Sequence, residues 1–240
     1  MDYEIVHGDI RSKRESSTGT WFLESPEFSS WMEGTQKNLF CPGIPGAGKT
    51  TIASKVIDHL KGLTVHDPSP PGLAFLYCSY GRRSEEGVVN LLISILGQLL
   101  PKQSPIPESI KKFFIKQSQG RTSPQLDEIL PELCPVTKEY PRVFVVIDAL
   151  DECQNDYTRR KLLDGIYEIQ KQSDVRLMTT FRPGIIQDNS EVIKLEIRAR
   201  KDDIELYVYS QMELLSTVVR KDLNLQSEIK ARVLSLANGM

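Results

Sequence analysis

The sequence predicts an α/β protein: a three-layer α/β/α sandwich around a mostly parallel five-stranded sheet, followed by the start of an all-α subdomain. Three observations predict it. Short apolar runs alternate with helical patterns through the middle of the chain, a glycine loop separates the first run from the first long helix, and beyond residue 199 the pattern turns purely helical. At 240 residues the chain holds one large α/β domain, or one domain and the start of another.

Taken in order, residues 1–20 are polar, rich in Ser, Arg and Gly, and read as a lead-in to a core spanning 21–198. Phe28 and Trp31 stand three apart, a helical spacing that marks two core aromatics. The run Asn38-Leu-Phe-Cys41 predicts the first strand, and Ile52, Ala53, Val56, Ile57 and Leu60 predict one apolar face of a helix after it. Pro68 to Gly72 breaks the chain before a second strand at Leu73–Cys78, and a helix is expected over Val88–Leu100. Repeated prolines between Pro101 and Pro141, around a few short helical pieces, predict the least regular part of the domain. Arg142–Ile147 reads as a third strand, Arg159–Gln172 as an amphipathic helix, Val175–Thr180 as a fourth strand and Val192–Leu195 as a fifth. A partial helical subdomain over 199–240 begins with a helix capped by Asp202 or Asp203, with another over Glu228–Ala237.

Composition narrows the function. Acidic and basic residues nearly balance, at a net charge of −2, and are interspersed, so no basic stripe offers a nucleic-acid backbone a track. The four cysteines (Cys41, Cys78, Cys134, Cys153) lack CxxC spacing and the histidines stand apart from them, which argues against zinc. The N-terminus lacks the pattern of a signal peptide, and the longest apolar stretches fall far short of the ~20 residues that a membrane span needs. A cytoplasmic protein with reduced cysteines is expected.

Gly43-Ile44-Pro45-Gly46-Ala47-Gly48-Lys49-Thr50 matches GxxxxGK[ST] at every required position. In such a loop the glycines let backbone N–H groups converge on phosphate oxygens. The helix N-terminus adds partial positive charge, the lysine neutralises the β- and γ-phosphates, and the hydroxyl of Thr50 is offered to magnesium. Thr51 follows as a further binding candidate. The motif lies between a predicted strand and a predicted helix, as its chemistry requires, and marks a P-loop NTPase fold that takes Mg2+ with ATP or GTP. The bland alternative is a glycine turn that happens to precede a lysine.

Magnesium also needs a carboxylate from a nearby strand, and Asp148 ends the apolar run Val145-Val-Ile147. Asp151 and Glu152 lie just beyond it, where a carboxylate can orient and deprotonate water. Acidic residues at a strand end can also simply face solvent, a reading closest to even for Glu152. Arg182, after the fourth strand, carries a fork that suits phosphate oxygens.

Together these residues resemble a NACHT-type NTPase of the STAND class, and within it the nephrocystin-like N-terminal domain of fungal proteins that carry ankyrin or WD repeats. The resemblance is carried by residues 18–31 and 40–50, by Asp148-Ala-Leu-Asp-Glu-Cys153, by Thr180-Phe-Arg-Pro183, and by Ala199, Asp203, Ile204 and Tyr207. It implies that Asp148 is the magnesium-site aspartate, Asp151 the hydrolytic carboxylate and Arg182 the reader of the γ-phosphate, with Thr18 and Gly19 near the base. It also implies a signalling switch that self-assembles within a longer parent protein. Two departures stand out. Phe181 occupies a position where the family usually has serine, which is expected to affect how Arg182 is aimed. The sequence also ends, at Leu236–Met240, before the winged-helix part whose histidine holds the β-phosphate in the family.

The sequence leaves other readings open. One is a nucleotide-binding scaffold with negligible turnover. Another is a small-molecule kinase with Arg82 and Arg83 as lid residues, against which the Asp148, Asp151 and Glu152 cluster points to water activation. A GTPase with an Asn-Lys-x-Asp base-reading motif is disfavoured, since that motif is absent, although GTP itself is not thereby excluded.

Overall fold

The computed structural model describes residues 2–82, 87–100, 107–119, 125–186, 192–212 and 214–237. Its centre is a parallel sheet of five strands: β1 (Asn38–Pro42), β2 (Gly72–Tyr77), β3 (Val143–Asp148), β4 (Val175–Phe181) and β5 (Ile193–Lys194), in the order β2-β3-β4-β1-β5. Every pairing is parallel. β3 and β4 are buried along their whole length, as expected of strands covered on both faces.

The helices are α1 (Tyr3–Lys13), α2 (Thr20–Leu23), α3 (Pro26–Glu33), α4 (Lys49–His66), α5 (Val88–Leu99), α6 (Glu108–Gln119), α7 (Leu126–Lys138), α8 (Asp156–Gln170), α9 (Lys201–Met212), α10 (Thr217–Lys221) and α11 (Leu223–Ala237). α1, α3 and α4 cover one face of the sheet; α5 and α8, with α7 packed on both, cover the other. The three layers form as the apolar stripes predict. α5 buries Leu91, Leu92, Ile95, Leu96 and Leu99, and α3 presses Trp31 onto Phe144 of β3 with ring centroids 5.0 Å apart.

Three expectations need correction. Residues within the expected lead-in form α1, capped by Asp2, whose side chain accepts the N–H of Glu4 at 3.0 Å. The helix packs on α4 and β2, and apolar periodicity misses it because one of its two buried residues is a histidine. The helical pieces expected in the proline-rich stretch are not short: α6 and α7 run to 12 and 13 residues. Pro131 and Pro135 lie inside α7, where burial of Ile129, Leu133 and Val136 outweighs their cost to the helix. Finally, neither Asp202 nor Asp203 caps α9: the first helical bond runs from the N–H of Ile204 to the carbonyl of Arg200, and both aspartates sit within the first turn.

Candidate functional site

The C-terminal ends of parallel strands share one edge of the sheet, the usual place for a site in an open α/β fold. There the predicted phosphate loop joins β1 to α4. Gly46 and Gly48 have φ of 83° and 89°, a region that L-residues with a Cβ avoid. Gly43 is required for another reason, since a Cβ there would lie 2.7 Å from the carbonyl oxygen of Ile197. Gly48 is the N-cap of α4, so the first-turn amides of the helix open onto the loop. Ile44 and Pro45 form its exposed outer turn. Nζ of Lys49 donates to the carbonyls of Gly43 at 2.7 Å and Ile44 at 3.0 Å. Burial lowers its pKa, and the charges of Asp151 and Asp148 oppose that shift.

Asp148 ends β3 with 3% of its surface exposed, and both its oxygens are engaged. Oδ2 accepts the hydroxyl of Thr50 at 2.7 Å and Oδ1 that of Thr180 at 2.6 Å. Burial raises its pKa, and the two hydroxyls pull it back towards the ionised form. Thr180 in turn accepts the N–H of Ala149 at 2.9 Å. Ala149 has φ 55°, so this one hydroxyl holds both the carboxylate and the left-handed turn that follows it. The sequence motif contained Thr180 without assigning it this role; the available signal was the hydroxyl pair Thr179-Thr180 near the C-terminal end of the strand.

Asp151 lies in a 3-10 turn (Leu150–Glu152) with 3% exposure. Its Oδ1 accepts the backbone N–H of Arg182 at 3.2 Å. Its Oδ2 is 3.1 Å from Nε of Arg182, an ionic contact whose geometry makes no hydrogen bond. Glu152 turns towards the loop after β2, where it accepts the N–H of Tyr80 at 3.3 Å and stands 3.8 Å from the Arg182 guanidinium. That guanidinium also lies 5.8 Å from the centre of the Tyr80 ring. Phe181 points away from all of this, into an edge-to-face contact with Phe40, while its carbonyl accepts the N–H of Gly43 at 3.0 Å. Arg82 ends the 3-10 turn Tyr80–Arg82, and Arg83 lies outside the described residues.

Thr18 and Gly19 are far from the loop in sequence but beside it in space. A cavity of about 330 Å³ runs from Gly46–Gly48 and Thr51 to Thr18, Gly19 and Trp21, with α9 as its far wall. Gly19 has φ 74°, and a Cβ on it would meet Ile52 at 2.7 Å. Lys55 of α4 fixes this segment by donating to the carbonyls of Ser16 at 2.9 Å and Thr18 at 2.7 Å.

A glycine loop opening a helix, faced by a carboxylate from a parallel strand, defines a P-loop NTPase-type domain. Within that class, the model of the family described as Nephrocystin 3, N-terminal, matches residues 17–182, and the chain belongs to this family. The chain is 26% identical over 235 residues to the vegetative incompatibility protein HET-E-1 of Podospora anserina. That match covers 91% of the chain and 17% of HET-E-1, so the chain spans about a sixth of that relative. Among solved structures, it is similar to the Walker-type ATPase PABY2304 of Pyrococcus abyssi (TM-score 0.48, 14% identity, 86% of this chain and 60% of that one). It is also similar to PCH-2 of C. elegans (TM-score 0.47, 13% identity, 89% and 52%). Both likenesses are distant, and the class rests on this chain's own loop and strand order. No helix among the described residues is long and apolar enough to cross a membrane.

Proposed function

We propose that the chain is a magnesium-dependent nucleotide switch, binding ATP or GTP on the 43–50 loop and hydrolysing it slowly. The observation that carries this reading is the convergence of Lys49 and Thr50 from α4, Asp148 and Asp151 from the end of β3 and the turn after it, and Arg182 from just beyond β4, on one edge of the sheet.

The oxygen donors suit magnesium. Thr50 and Asp148 offer a hydroxyl and a carboxylate 2.7 Å apart, and no group of three or more acidic, histidine or cysteine side chains forms a cage among the described residues. Magnesium prefers such a sparse set, because it keeps several waters and takes further oxygens from phosphate. When bound, it neutralises charge on the phosphate oxygens. Lys49 turns from the loop carbonyls to the phosphates, Thr180 keeps Asp148 in place, and Asp151 orients and deprotonates the attacking water through its unspent Oδ2. Arg182 exchanges its contact with Asp151 for the γ-phosphate.

The division into a core through residue 198 and a helical piece from 199 onward belongs to this proposal: the helical piece is the part whose packing responds to the nucleotide. The similarity to a vegetative incompatibility protein supports a signalling role within a longer protein, where the switch governs self-assembly. Calorimetric titration with Mg-ATP and Mg-GTP, beside Lys49→Ala, tests the reading. Saturable binding of either nucleotide, lost in the variant, is the expected result; a folded protein that binds neither would sink it.

A further inference from the structure

Asp203 joins the two walls of the cavity that leads away from the phosphate loop. One wall is the segment 18–21, held from beneath by Lys55 of α4. The other is α9, which carries Asp203 in its first turn. The carboxylate spends one oxygen on each of two donors of the opposite wall: Oδ1 accepts the N–H of Gly19 at 3.0 Å, and Oδ2 accepts the indole N–H of Trp21 at 3.0 Å. Arg200, one turn earlier, stacks its guanidinium 3.8 Å from the centre of the Trp21 ring. The separation and tilt of the walls are therefore set by two charge-assisted hydrogen bonds and one cation–π contact, all at the foot of α9.

Asp203 does not line the phosphate loop, and none of its partners is a loop residue. A ligand whose phosphates lie on Gly46–Gly48 would place its other end between these walls. We propose that Asp203 is a positioning residue for the nucleoside end of the nucleotide: it holds segment 18–21 against α9 and so ties nucleoside occupancy to the helical piece. This rests on the site reading above. Asparagine cannot replace the carboxylate, because its single carbonyl oxygen satisfies one donor while its NH2 faces the other.

The test is calorimetry with three magnesium-loaded probes, ATP, GTP and inorganic tripolyphosphate, on wild type, Asp203→Asn and Trp21→Phe. Asp203→Asn is expected to weaken binding of the preferred nucleotide about tenfold, while tripolyphosphate binds as in wild type. Trp21→Phe keeps a ring but removes one donor, and a loss of about threefold is expected. If folded Asp203→Asn binds nucleotide like wild type, or loses nucleotide and tripolyphosphate alike, the proposal is overturned while the site reading stands. If Asp203→Asn fails to fold, Trp21→Phe decides, and unchanged nucleotide affinity there overturns the proposal. Wild type that binds no nucleotide overturns the site reading, and this proposal with it.

Discussion

The guanidinium of Arg182 lies 3.1 Å from a carboxylate oxygen of Asp151, so the two residues expected to read and to hydrolyse the γ-phosphate are paired with each other. One guanidinium fork cannot serve both Asp151 and a phosphate in full, and on the proposed reading an exchange between them would give the site two arrangements. Arg182→Ala is therefore expected to reduce the preference for triphosphate over diphosphate about tenfold. Competition binding with the two nucleotides measures it, and an unchanged ratio would remove Arg182 from the site.

Asp151→Asn should separate binding from chemistry. The amide retains an acceptor for the Arg182 N–H but no longer takes a proton, so affinity is expected to stay while single-turnover hydrolysis falls by about 10²- to 10⁴-fold. If wild type itself shows no turnover, the scaffold reading replaces the switch.

Thr180 makes a sharper structural prediction. Its hydroxyl serves Asp148 and Ala149 at once inside a buried site. Thr180→Val keeps the shape but leaves a carboxylate oxygen and an amide N–H short of a partner, at a cost of about 2 to 4 kcal/mol. Thr180→Ser should recover most of that in chemical denaturation, and equal stability of the valine and serine variants would contradict the role given to the hydroxyl.

The sequence was most legible where local pattern and tertiary need coincide. β1, β3 and β4 read as apolar runs because both faces of the sheet are covered, and the 43–50 loop is recognisable because its backbone conformation restricts which residues fit. It was least legible where a contact joins distant positions. Asp203 looks like a helix cap in its own neighbourhood, and only the fold brings Gly19 and Trp21 to its oxygens. The same holds for α1, whose docking depends on His7 meeting Tyr77 and Asp58, residues that no periodicity in the first twenty positions could announce.

That histidine gives the fold a pH dependence of definite sign. Nδ1 and Nε2 of His7 lie 2.8 Å from the Tyr77 hydroxyl and 3.0 Å from Asp58, whose other oxygen takes Arg14 at 2.6 Å. Burial lowers the pKa of His7 below its usual range; the hydrogen bond to Asp58 works against this shift and the charge of Lys61 adds to it. Asp58 would be raised by burial, but the hydrogen bonds from His7 and Arg14 hold it below the usual carboxylate range, so it stays ionised near neutral pH. Below the ordinary histidine range the unfolded chain therefore binds more protons at His7 than the folded one. The neutral ring's contribution is complete above that range and is lost as pH falls through the depressed folded value. Between about pH 7.5 and about pH 5.5, the denaturation midpoint of wild type is expected to fall more than that of His7→Gln, whose amide has a donor and an acceptor but does not titrate. Parallel pH profiles for the two proteins would show that His7 is not the group responsible.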